Sequence, residues 1–400
     1  MNLFPIPEDG QGNYKMVAKT IYGLENLCMA ELLKLGAENA AVHNRAVSFE
    51  GNVGVMYKAN LLLRTALRVL VQFAEFEVNN EDELYEAVKS IEWEKLISVD
   101  ETIAIDTVLN TEIFNHSQYI SQKTKDAICD RFRELCERRP SVDLDNPTLR
   151  LHLHIAKNKC VIALDSSGDS LHKRGYREKT NLAPINEVLA AGLVQLSEWD
   201  MRSTFIDPMC GSATILIEAA MLAANIPAGY FREQFGFMNW KQLLPFNQEL
   251  WEKIHGNAIE RISTEDILLY GIELSPHVAR KGKENVKRSK TEDMIRIRCA
   301  DFLESDAPLT VGSKPILIMN PPYGERMVKD DIWELYHQVG DTFKKKYAGY
   351  ECWIISSNLE ALKNVGLSTS KRITVYNGQL ECRFFRYSIY QGTKKWKGEE

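Results

Sequence analysis

The stretch STFIDPMCGSATILIEAAMLAA, residues 203 to 224, has the pattern of a strand, a glycine-containing turn and a helix. Asp207 ends the apolar strand, and Gly211 with Ser212 lets a ligand approach the backbone before the helix begins. The amide groups and positive dipole end of such a helix favour a carboxylate or phosphate. The turn has neither the lysine of a phosphate-binding P-loop nor the G-x-G-x-x-G spacing, which disfavours nucleoside triphosphates and dinucleotides.

Strands and helices alternate on both sides of this stretch, from Asn186 onward. Strand patterns occur at ILLYGIE, IRIRCAD, PILIMN and ECWIISS, separated by segments with helical periodicity. Such alternation predicts a parallel, doubly wound sheet of the Rossmann-like α/β class. The segments RITVY and LECRFFRYSIY then flank Asn377-Gly378, which is a strong hairpin signal. We therefore predict a mostly parallel sheet that is closed by an antiparallel hairpin.

The chain before residue 168 has a different, α+β pattern. LRLHLHIA alternates apolar and polar positions, which predicts a half-buried strand, and KNK then connects it to CVIALD in a hairpin. In YISQKTKDAICDRFREL, one helical face collects the apolar residues Ile120, Ala127, Ile128, Phe132 and Leu135. Further along, an aromatic-rich insertion at residues 225–256 either packs as a small satellite core or offers a platform for stacked bases.

The composition is that of an ordinary globular protein, with 44% hydrophobic and 26% charged residues and a formal charge of −6. The sequence has no signal-peptide pattern and no apolar run long enough to span a membrane, so we expect a cytoplasmic protein. Eight scattered cysteines form no zinc-site pattern, so we predict reduced structural thiols and no metal. Two basic clusters lie at residues 131–139 and 171–179; taken alone, such clusters are usually solvated faces.

Two further strand ends carry acidic residues. Glu273 follows the apolar part of ILLYGIE, where a carboxylate can accept hydrogen bonds from both hydroxyls of a ribose. After IRIRC, the Asp301 carboxylate can accept from an adenine amino group, and the Phe302 ring can stack on the purine. Each alone could equally be a helix cap or a surface carboxylate. Because ligands gather at the carboxyl ends of parallel strands, these residues and the turn at Gly211 together predict an adenosine pocket.

The stretch IMNPPYGERM, residues 318 to 327, places a rigid corner at the end of another strand. Pro321 and Pro322 fix two φ angles and hold Asn320 in an extended conformation. The carboxamide oxygen of Asn320 and the carbonyl of Pro321 then form two neighbouring acceptors that suit an exocyclic amino group. Tyr323 offers a ring on which a planar substrate can stack. These residues predict a site that holds an amine nitrogen while it attacks an electrophile.

The motifs at these strand ends resemble those of a known family. Asn320-Pro321-Pro322-Tyr323 resembles the catalytic motif of class I S-adenosylmethionine-dependent methyltransferases that act on amino nitrogens. DPMCGSAT, GIELSP and CADF resemble the cofactor motifs of that family. With LHKRGYR at 171–177 and NPPYGER at 320–326, the chain is similar to the bacterial guanine-N2 methyltransferases of large-subunit ribosomal RNA, of the RlmL type.

The resemblance implies an enzyme that uses S-adenosylmethionine to methylate N2 of a guanosine in 23S ribosomal RNA, in an immature large subunit. It also implies a ferredoxin-like piece (1–59), a THUMP RNA-binding domain (60–167), a basic linker (168–185), a methyltransferase domain (186–390) and a tail (391–400). The implied cofactor contacts are Asp207, Pro208, Gly211, Ser212, Thr214, Glu273, Asp301, Phe302 and Asn320. The RNA contacts that we expect near the linker are Lys173, Arg174 and Arg177.

One position departs from the family, and several other functions stay open. The family commonly has glycine where this chain has Ala213, so a positive φ at that position would require the turn to be built differently. The alternatives are a transfer-RNA guanine-N2 enzyme, a DNA adenine-N6 enzyme, a protein glutamine methyltransferase and a non-catalytic RNA-binding protein. The THUMP-like N-terminal part favours RNA over DNA, and the intact Asn320, Glu273 and Asp301 favour an enzyme.

Overall fold

The computed structural model describes residues 2–3, 12–177, 185–241, 244–263, 267–322 and 329–390, and side chains for all of these except 2, 3, 329 and 330. The chain forms two compact units. The first consists of Met1–Thr20, Cys28–Leu171 and Arg232–Asn257, and the second of Ile21–Leu27, His172–Phe231 and Ala258–Glu400. Each unit is therefore assembled from three separate segments of the sequence.

The first unit contains nine strands and most of the helices of the N-terminal half. The strands are β1 (Asn2–Leu3), β2 (Tyr14–Thr20), β3 (Glu38–His43), β4 (Ala46–Gly51), β5 (Ala66–Glu77), β6 (Thr102–Asn110), β7 (Ser141–Val142), β8 (Leu149–Ala156) and β9 (Lys159–Asp165). The helices are α1 (Glu25–Lys34), α2 (Val53–Leu62), α3 (Glu81–Lys89) and α4 (Ser117–Cys136). The strands form one sheet in the order β3-β4-β2-β5-β9-β8-β6-β7, and β1 pairs with β5 outside this path.

The long strand β5 pairs on both of its sides. Met16 of β2 lies opposite Val71, and Asp165 of β9 lies opposite Leu70. The segments expected to be a ferredoxin-like piece and a THUMP domain therefore share a single sheet. The predicted strand LRLHLHIA is confirmed as β8, which alternates buried and half-buried residues, and it forms the predicted hairpin with β9.

Most of the predicted apolar face of α4 is buried. Ile120, Ala127, Ile128 and Phe132 face the core, as the helical periodicity indicated. The prediction was wrong for Leu135, which is 56% exposed. Residues 133–139 are all exposed, because the helix ends at Cys136 and its last turn extends past the surface on which the preceding turns pack.

The aromatic insertion forms a small core inside the first unit. Phe237 stacks on Tyr57 of α2 with ring centroids 4.4 Å apart, and Phe235 stacks on Phe237 at 5.5 Å. Trp251, on α7 (Gln248–Glu260), packs edge-on against Tyr57 and Phe235. Phe235 and Phe237 are at most 2% exposed. The satellite-core interpretation is confirmed for Phe235 and Phe237, whose rings are too buried to stack on nucleobases.

The second unit has the predicted Rossmann-like architecture. Its strands are β10 (Phe205–Asp207), β11 (Leu269–Glu273), β12 (Ile295–Cys299), β13 (Ile316–Met319), β14 (Glu351–Ser356), β15 (Lys371–Asn377) and β16 (Leu380–Ser388). Its helices are α5 (Glu187–Leu196), α6 (Thr214–Ala223), α8 (Pro276–Arg288), α9 (Lys329–Lys346) and α10 (Leu359–Asn364). One apolar core contains residues of α5, α6 and α8, and a second contains residues of α9 and α10, so the sheet is covered on both faces.

The sheet of the second unit has the order β12-β11-β10-β13-β14-β16-β15. The first five strands in this order are parallel, and β16 runs antiparallel to β14 and β15. Gly378, with a φ of 64°, lies in the turn of the predicted terminal hairpin. The strand order reverses direction at β10, and such a switch point creates a ligand crevice at the carboxyl ends of the strands. Among the described helices, none has both the length and the apolar character needed to cross a bilayer.

Candidate functional site

Four polar side chains lie at the carboxyl edge of the parallel sheet in the second unit. Asp207 ends β10 and Glu273 ends β11, while Asp301 is the second residue after β12 and Asn320 the first after β13. The strand order β12-β11-β10-β13 places them in the sequence Asp301, Glu273, Asp207, Asn320 along this edge. Because neighbouring strands are about 4.8 Å apart, the four positions span roughly 15 Å, which is the length of a nucleoside with a short extension.

The turn between β10 and α6 is held in shape by backbone hydrogen bonds. The N–H of Cys210 donates to the carbonyl of Ile272 at 2.9 Å, and the N–H of Ala213 donates to the carbonyl of Cys210 at 2.7 Å. Gly211 has a φ of 53°, and a β-carbon built on it would meet no atom within 4 Å. The backbone at Gly211 therefore faces open space, as close approach of a ligand requires.

Ala213 adopts the left-handed conformation that is usually reserved for glycine. Its φ is 66° and its ψ is 22°, directly before the first residue of α6. This conformation costs a residue with a β-carbon roughly 1–2 kcal/mol. The alanine at this position therefore adopts the positive φ itself and bears the strain.

Glu273 is fixed by the same turn. Its Oε2 accepts a hydrogen bond from the N–H of Gly211 at 3.0 Å, and its Oε1 accepts from the N–H of Ser275 at 2.9 Å. Each carboxylate oxygen retains a further lone pair, so the group can still accept from a ligand. The half-buried side chain lies beside Leu274, which is 69% exposed and offers an apolar surface next to the carboxylate.

Asp207 is a buried carboxyl group for which the described residues provide no ion-pair partner. It is 1% exposed, and its Oδ1 accepts from the N–H of Met209 at 3.2 Å. Desolvation by burial raises its pKa from 3.8 to about 8; the Met209 N–H lowers it, and the nearby Glu273 carboxylate raises it further. Asp207 is therefore mostly protonated at neutral pH, and it shapes the turn rather than adding a charge to it.

The residues after β12 have opposite environments. Asp301 is exposed, and its Oδ1 accepts from the N–H of Leu303 at 2.8 Å. Phe302 is only 3% exposed, and its ring packs against Phe343 of α9 and against Tyr347, the residue after that helix, with centroids 6.3 and 5.7 Å away. The stacking role predicted for the Phe302 ring does not fit this position, because both neighbours belong to the core beneath α9.

Asn320 carries a hydrogen-bond acceptor that has no donor among the residues that the structure describes. Its carboxamide Oδ1 is buried and accepts no hydrogen bond from that part of the chain, although the residue as a whole is half-buried. A buried acceptor left unpaired costs about 1–3 kcal/mol, so it is seldom retained without a reason. Pro321 is buried behind it and Pro322 is exposed, while Tyr323 lies outside the described residues. The arrangement leaves an acceptor oriented for a donor that the described residues do not supply.

Of the three predicted RNA contacts, Arg174 is buried and Arg177 is half-buried, so neither side chain is presented on the surface as that prediction requires. The side chain of Arg174 is 1% exposed, and its Nε lies 3.5 Å from Oε1 of Glu218. Tyr176, also buried, donates from its hydroxyl to the same Glu218 oxygen at 3.0 Å. Since Glu218 lies inside the apolar helix α6, burying its charge requires a buried cation. Arg174 supplies that cation and does not face solvent.

Arg177 is bound to the start of α6. One guanidinium nitrogen lies 3.1 Å from Oε1 of Glu187, and another donates to the hydroxyl of Thr214. Its side chain is 15% exposed, which leaves little surface for a phosphate. Burial raises the pKa of Glu187, and the charge of Arg177 opposes that rise. Of the three predicted contacts, only Lys173 is exposed.

One feature of the sequence indicates that Glu218 has buried partners. Glu218 interrupts TILIEAAMLAA, and a carboxylate in an otherwise apolar buried helix needs a hydrogen-bonded partner. The pattern does not say which cation that is. Thr214, predicted as a cofactor contact, is 2% exposed and bonded to Arg177, and Pro208 is also buried. Gly211 and Ser212 are the half-buried members of the turn that a ligand can reach.

The arrangement fits a nucleoside with an acidic or zwitterionic extension. The open backbone at Gly211 lies beside a carboxylate whose two oxygens are fixed, and a second carboxylate is exposed one strand further along the edge. On the other side of β10, an unpaired amide oxygen points to a substrate that carries hydrogen-bond donors. The edge therefore combines groups that can bind a nucleoside with an acceptor that can bind a hydrogen-bond donor.

Models of three known domain families match this chain. Residues 174–386 match an RMKL-like methyltransferase domain, residues 78–165 a THUMP domain and residues 15–70 an RlmL ferredoxin-like domain. The first match alone covers more than half of the 400 residues. The chain belongs to the RMKL-like methyltransferase family. The resemblance drawn from the strand-end motifs is thereby confirmed.

Relatives in the RMKL-like family are similar over most of this chain. A putative RNA methyltransferase of Synechocystis sp. is 34% identical over 372 residues, which cover 92% of this chain and 95% of that protein. The ribosomal RNA large subunit methyltransferase K/L of Syntrophotalea carbinolica is 34% identical over 384 residues, which cover 94% of this chain and 53% of that protein. The chain thus spans about half the length of the curated K/L relatives that it matches.

A solved structure of the same fold supports the architecture. The crystal structure of a putative methyltransferase complexed with SAH is 26% identical to this chain and has a TM-score of 0.83. The likeness covers 96% of this chain and 100% of that chain. The predicted fold class, an α+β N-terminal region followed by a Rossmann-like methyltransferase sheet, is confirmed.

Proposed function

We propose that this protein transfers a methyl group from S-adenosylmethionine to the exocyclic N2 of a guanosine in 23S ribosomal RNA. The K/L relatives are named ribosomal RNA large subunit methyltransferases, and a THUMP match precedes the methyltransferase match. A transfer-RNA guanine is the runner-up substrate. The observation that carries the choice of an amino nitrogen is the unpaired, buried Oδ1 of Asn320.

Asn320 and the carbonyl of Pro321 form the site for the attacking nitrogen. An exocyclic amino group has two N–H bonds, and one donates to each of these acceptors. Accepting both bonds turns the nitrogen lone pair toward the electrophile and stabilises the positive charge that develops on nitrogen. Because Pro321 and Pro322 fix the backbone, the acceptors need no reorganisation during the reaction.

The cofactor residues are those at the ends of β10, β11 and β12. S-adenosylmethionine supplies an electrophilic methyl group on a sulfonium. Glu273, already oriented by Gly211 and Ser275, accepts from the ribose hydroxyls. The backbone at Gly211 and Ser212 faces the methionine end, and Asp301 accepts from the adenine amino group. With its ring in the core, Phe302 contributes packing beneath the adenine rather than a stacked face.

The RNA must present an unpaired guanine to this edge. N2 of a paired guanine is already hydrogen-bonded, so the base has to be single-stranded or extruded at a cost of a few kcal/mol. Stacking on Tyr323 would return about 1–3 kcal/mol of that cost. A fully assembled large subunit would bury such a site, so protein-free or partly assembled RNA is the better substrate. Among the described cations of the linker, Lys173 is the exposed one, and it stays assigned to the phosphates.

The first test separates the chemical role of Asn320 from a structural one. Asn320→Ala removes one preorganised acceptor and should lower turnover about 100- to 1000-fold while SAH affinity persists. Asn358→Ala is the matched control, because Asn358 caps α10 through the N–H of Ala361 and lies after a different strand. Loss of SAH affinity in Asn320→Ala, measured by calorimetry, would assign the residue to the fold or to the cofactor site instead.

The second test identifies the substrate. Nucleoside mass spectrometry of RNA fractions from cells that lack this protein should show loss of N2-methylguanosine from 23S ribosomal RNA. Loss confined to transfer RNA would move the assignment to the runner-up. Unchanged RNA with loss of N6-methyladenine from DNA, or of methylated glutamine from protein, would overturn the proposal. Unchanged modification everywhere together with normal RNA binding would indicate a non-catalytic RNA-binding protein.

A further inference from the structure

Helix α8 carries an unusual concentration of positive charge for an acidic chain. The whole protein has a formal charge of −6, yet the thirteen residues of α8 contain five cations and a single acid, Glu284. The cations, which we call the basic face of α8, are Arg280, Lys281, Lys283, Lys287 and Arg288. The buried side of the helix is formed by Ala279, Gly282, Asn285 and Val286, so the charges lie on the remaining surface.

Three of these cations form a row. Arg280, Lys283 and Lys287 are spaced i, i+3 and i+7, which places them on one side of a helix. All three are exposed. With a rise of 1.5 Å per residue, the row is about 10 Å long, which is long enough to contact two or three successive phosphates of a nucleic acid strand.

Among the described residues, the lysines of this helix have no carboxylate partner. Within the described part of the chain, no carboxylate lies within 4.0 Å of Lys281, Lys283 or Lys287, and Arg280 has only a 3.9 Å contact with Glu284. Both members of that contact are at least half exposed, and such a pair contributes little. The lysines therefore remain available to an external anion.

The THUMP match has the opposite arrangement. The sequence has eleven lysines and arginines between residues 78 and 165. Nine of them lie within 4.0 Å of a carboxylate of the same unit, and the two exceptions are Arg139 and Lys157. The basic cluster at 131–139 belongs to this group, with Arg131 bound to Glu94 and Arg138 bound to Asp100. Most cations of the THUMP match therefore have a carboxylate partner, whereas the three lysines of α8 have none among the described residues.

The position of α8 relates its charge to the candidate site. The helix begins at Pro276, three residues after Glu273, so it starts at the carboxyl edge of the sheet and runs down one face. It packs against β11 and the edge strand β12, and Gly282 brings it close to the Gly211 turn, because a β-carbon there would lie 3.0 Å from the Gly211 carbonyl. An RNA strand whose reacting base binds at Asn320 can therefore continue across the edge of the β-sheet onto α8.

We propose that the basic face of α8 is a docking surface for the phosphate backbone of the RNA substrate. The inference rests on the proposed function, since it takes RNA as the substrate. Exposed lysines gain affinity for RNA by releasing the counterions of the phosphates, and the gain requires no sequence-specific contact. The surface adds affinity beside the reacting base and leaves base selection to the site at Asn320.

The test is a pair of neutralising substitutions with a matched control. The Lys283→Ala, Lys287→Ala double variant removes two phosphate contacts, and Lys344→Ala, Lys345→Ala removes two charges from exposed positions at the end of α9. With a slope of about 0.7 per contact in log affinity against log salt, the loss at 0.1 M salt is about 25-fold, and the slope falls by about 1.4. The probe is a single-stranded RNA of mixed sequence, and SAH affinity should stay unchanged.

Two further variants protect the test against a trivial outcome. Lys283→Arg with Lys287→Arg keeps the charge and should restore wild-type affinity, whereas Glu284→Gln removes the lone acid of the face and should tighten RNA binding. An unchanged salt slope in the double alanine variant, or an equal loss in the α9 control, would overturn the inference. If the double alanine variant keeps its RNA affinity but binds an acidic protein more weakly than the wild type does, the surface binds protein and the inference is overturned. Absence of RNA binding by the wild-type protein would instead count against the proposed function.

Discussion

The buried carboxyl group of Asp207 should make the stability of the second unit fall as the pH rises. Its pKa is raised from 3.8 to about 8 in the folded protein, because burial disfavours the charged form. Between these two values the unfolded chain has lost the proton and the folded chain still holds it. Stability therefore falls with pH by about 1.4 kcal/mol per unit in this window, and levels off above pH 8.

The magnitude is large enough to measure. From pH 5 to pH 7 the contribution of Asp207 amounts to about 2.7 kcal/mol of lost unfolding free energy. Asp207→Asn keeps an oxygen that can accept from the N–H of Met209 but cannot ionise. The free energy of unfolding of the variant should therefore rise relative to that of the wild type by about 1.4 kcal/mol for each pH unit, and this rise should stop near pH 8. Glu187, whose pKa burial also raises, affects both proteins equally and cancels in the difference.

Urea unfolding at several pH values between 5 and 8 is the assay, and Asp200→Asn is the control. Burial raises the pKa of Asp200, but hydrogen bonds from the Ser203 hydroxyl and backbone outweigh it, and the pKa is lowered. Asp200 thus stabilises the fold above its unfolded pKa, and its contribution is lost only as the pH falls through the folded value. The Asp200→Asn deficit should be constant between pH 5 and 8. Parallel curves for Asp207→Asn and the wild type would refute the burial argument.

Two other substitutions test the corrected roles of buried residues. Arg174→Met leaves the charge of the buried Glu218 without a cation, so it should lower the free energy of unfolding in urea by about 3–5 kcal/mol and leave the RNA affinity of the folded variant unchanged. The exposed Lys173→Ala should instead weaken RNA binding and leave the stability unchanged. Weakened RNA binding by a stable Arg174→Met variant would contradict the buried role of Arg174. Ala213→Gly relieves a positive φ but loses a buried methyl group, so it should stay within about 0.5 kcal/mol of the wild type. Ala220→Gly, in the interior of α6, should cost about 2 kcal/mol, and equal losses at both positions would show that residue 213 is not strained.

The part of the fold that was predictable is the part set by local patterns. The parallel strands, the terminal hairpin at Asn377-Gly378 and the polar residues at the strand ends all follow from periodicity and turn chemistry. The sequence also singles out Ala213, because an alanine stands where the family commonly has glycine, and the structure has a positive φ there. These features depend on neighbours within a few residues of each other.

The features that were missed depend on distant residues. LHKRGYREK has the composition of a solvated basic segment, and nothing in it indicates that Arg174 pairs with Glu218 of α6. Whether an aromatic residue after a strand faces a ligand or the core depends on what lies beneath it, and for Phe302 that is Tyr347, the residue directly after α9. Such contacts are made by the tertiary fold, so neither propensity nor spacing could have given them.

The way the chain is divided between the two units has a consequence for making fragments of it. Removing residues 1–167 is the obvious route to an isolated catalytic domain, but it also removes Ile21–Leu27, which belongs to the second unit. Leu24 packs so closely on α5 that a β-carbon at Gly192 would lie 2.6 Å from both of its terminal carbons, and Tyr22 stacks edge-on against Tyr376. A truncated domain would therefore carry an unfilled notch lined by α5 and β15, and a synthetic peptide of residues 21–27 supplied in trans should bind there and restore its thermal stability.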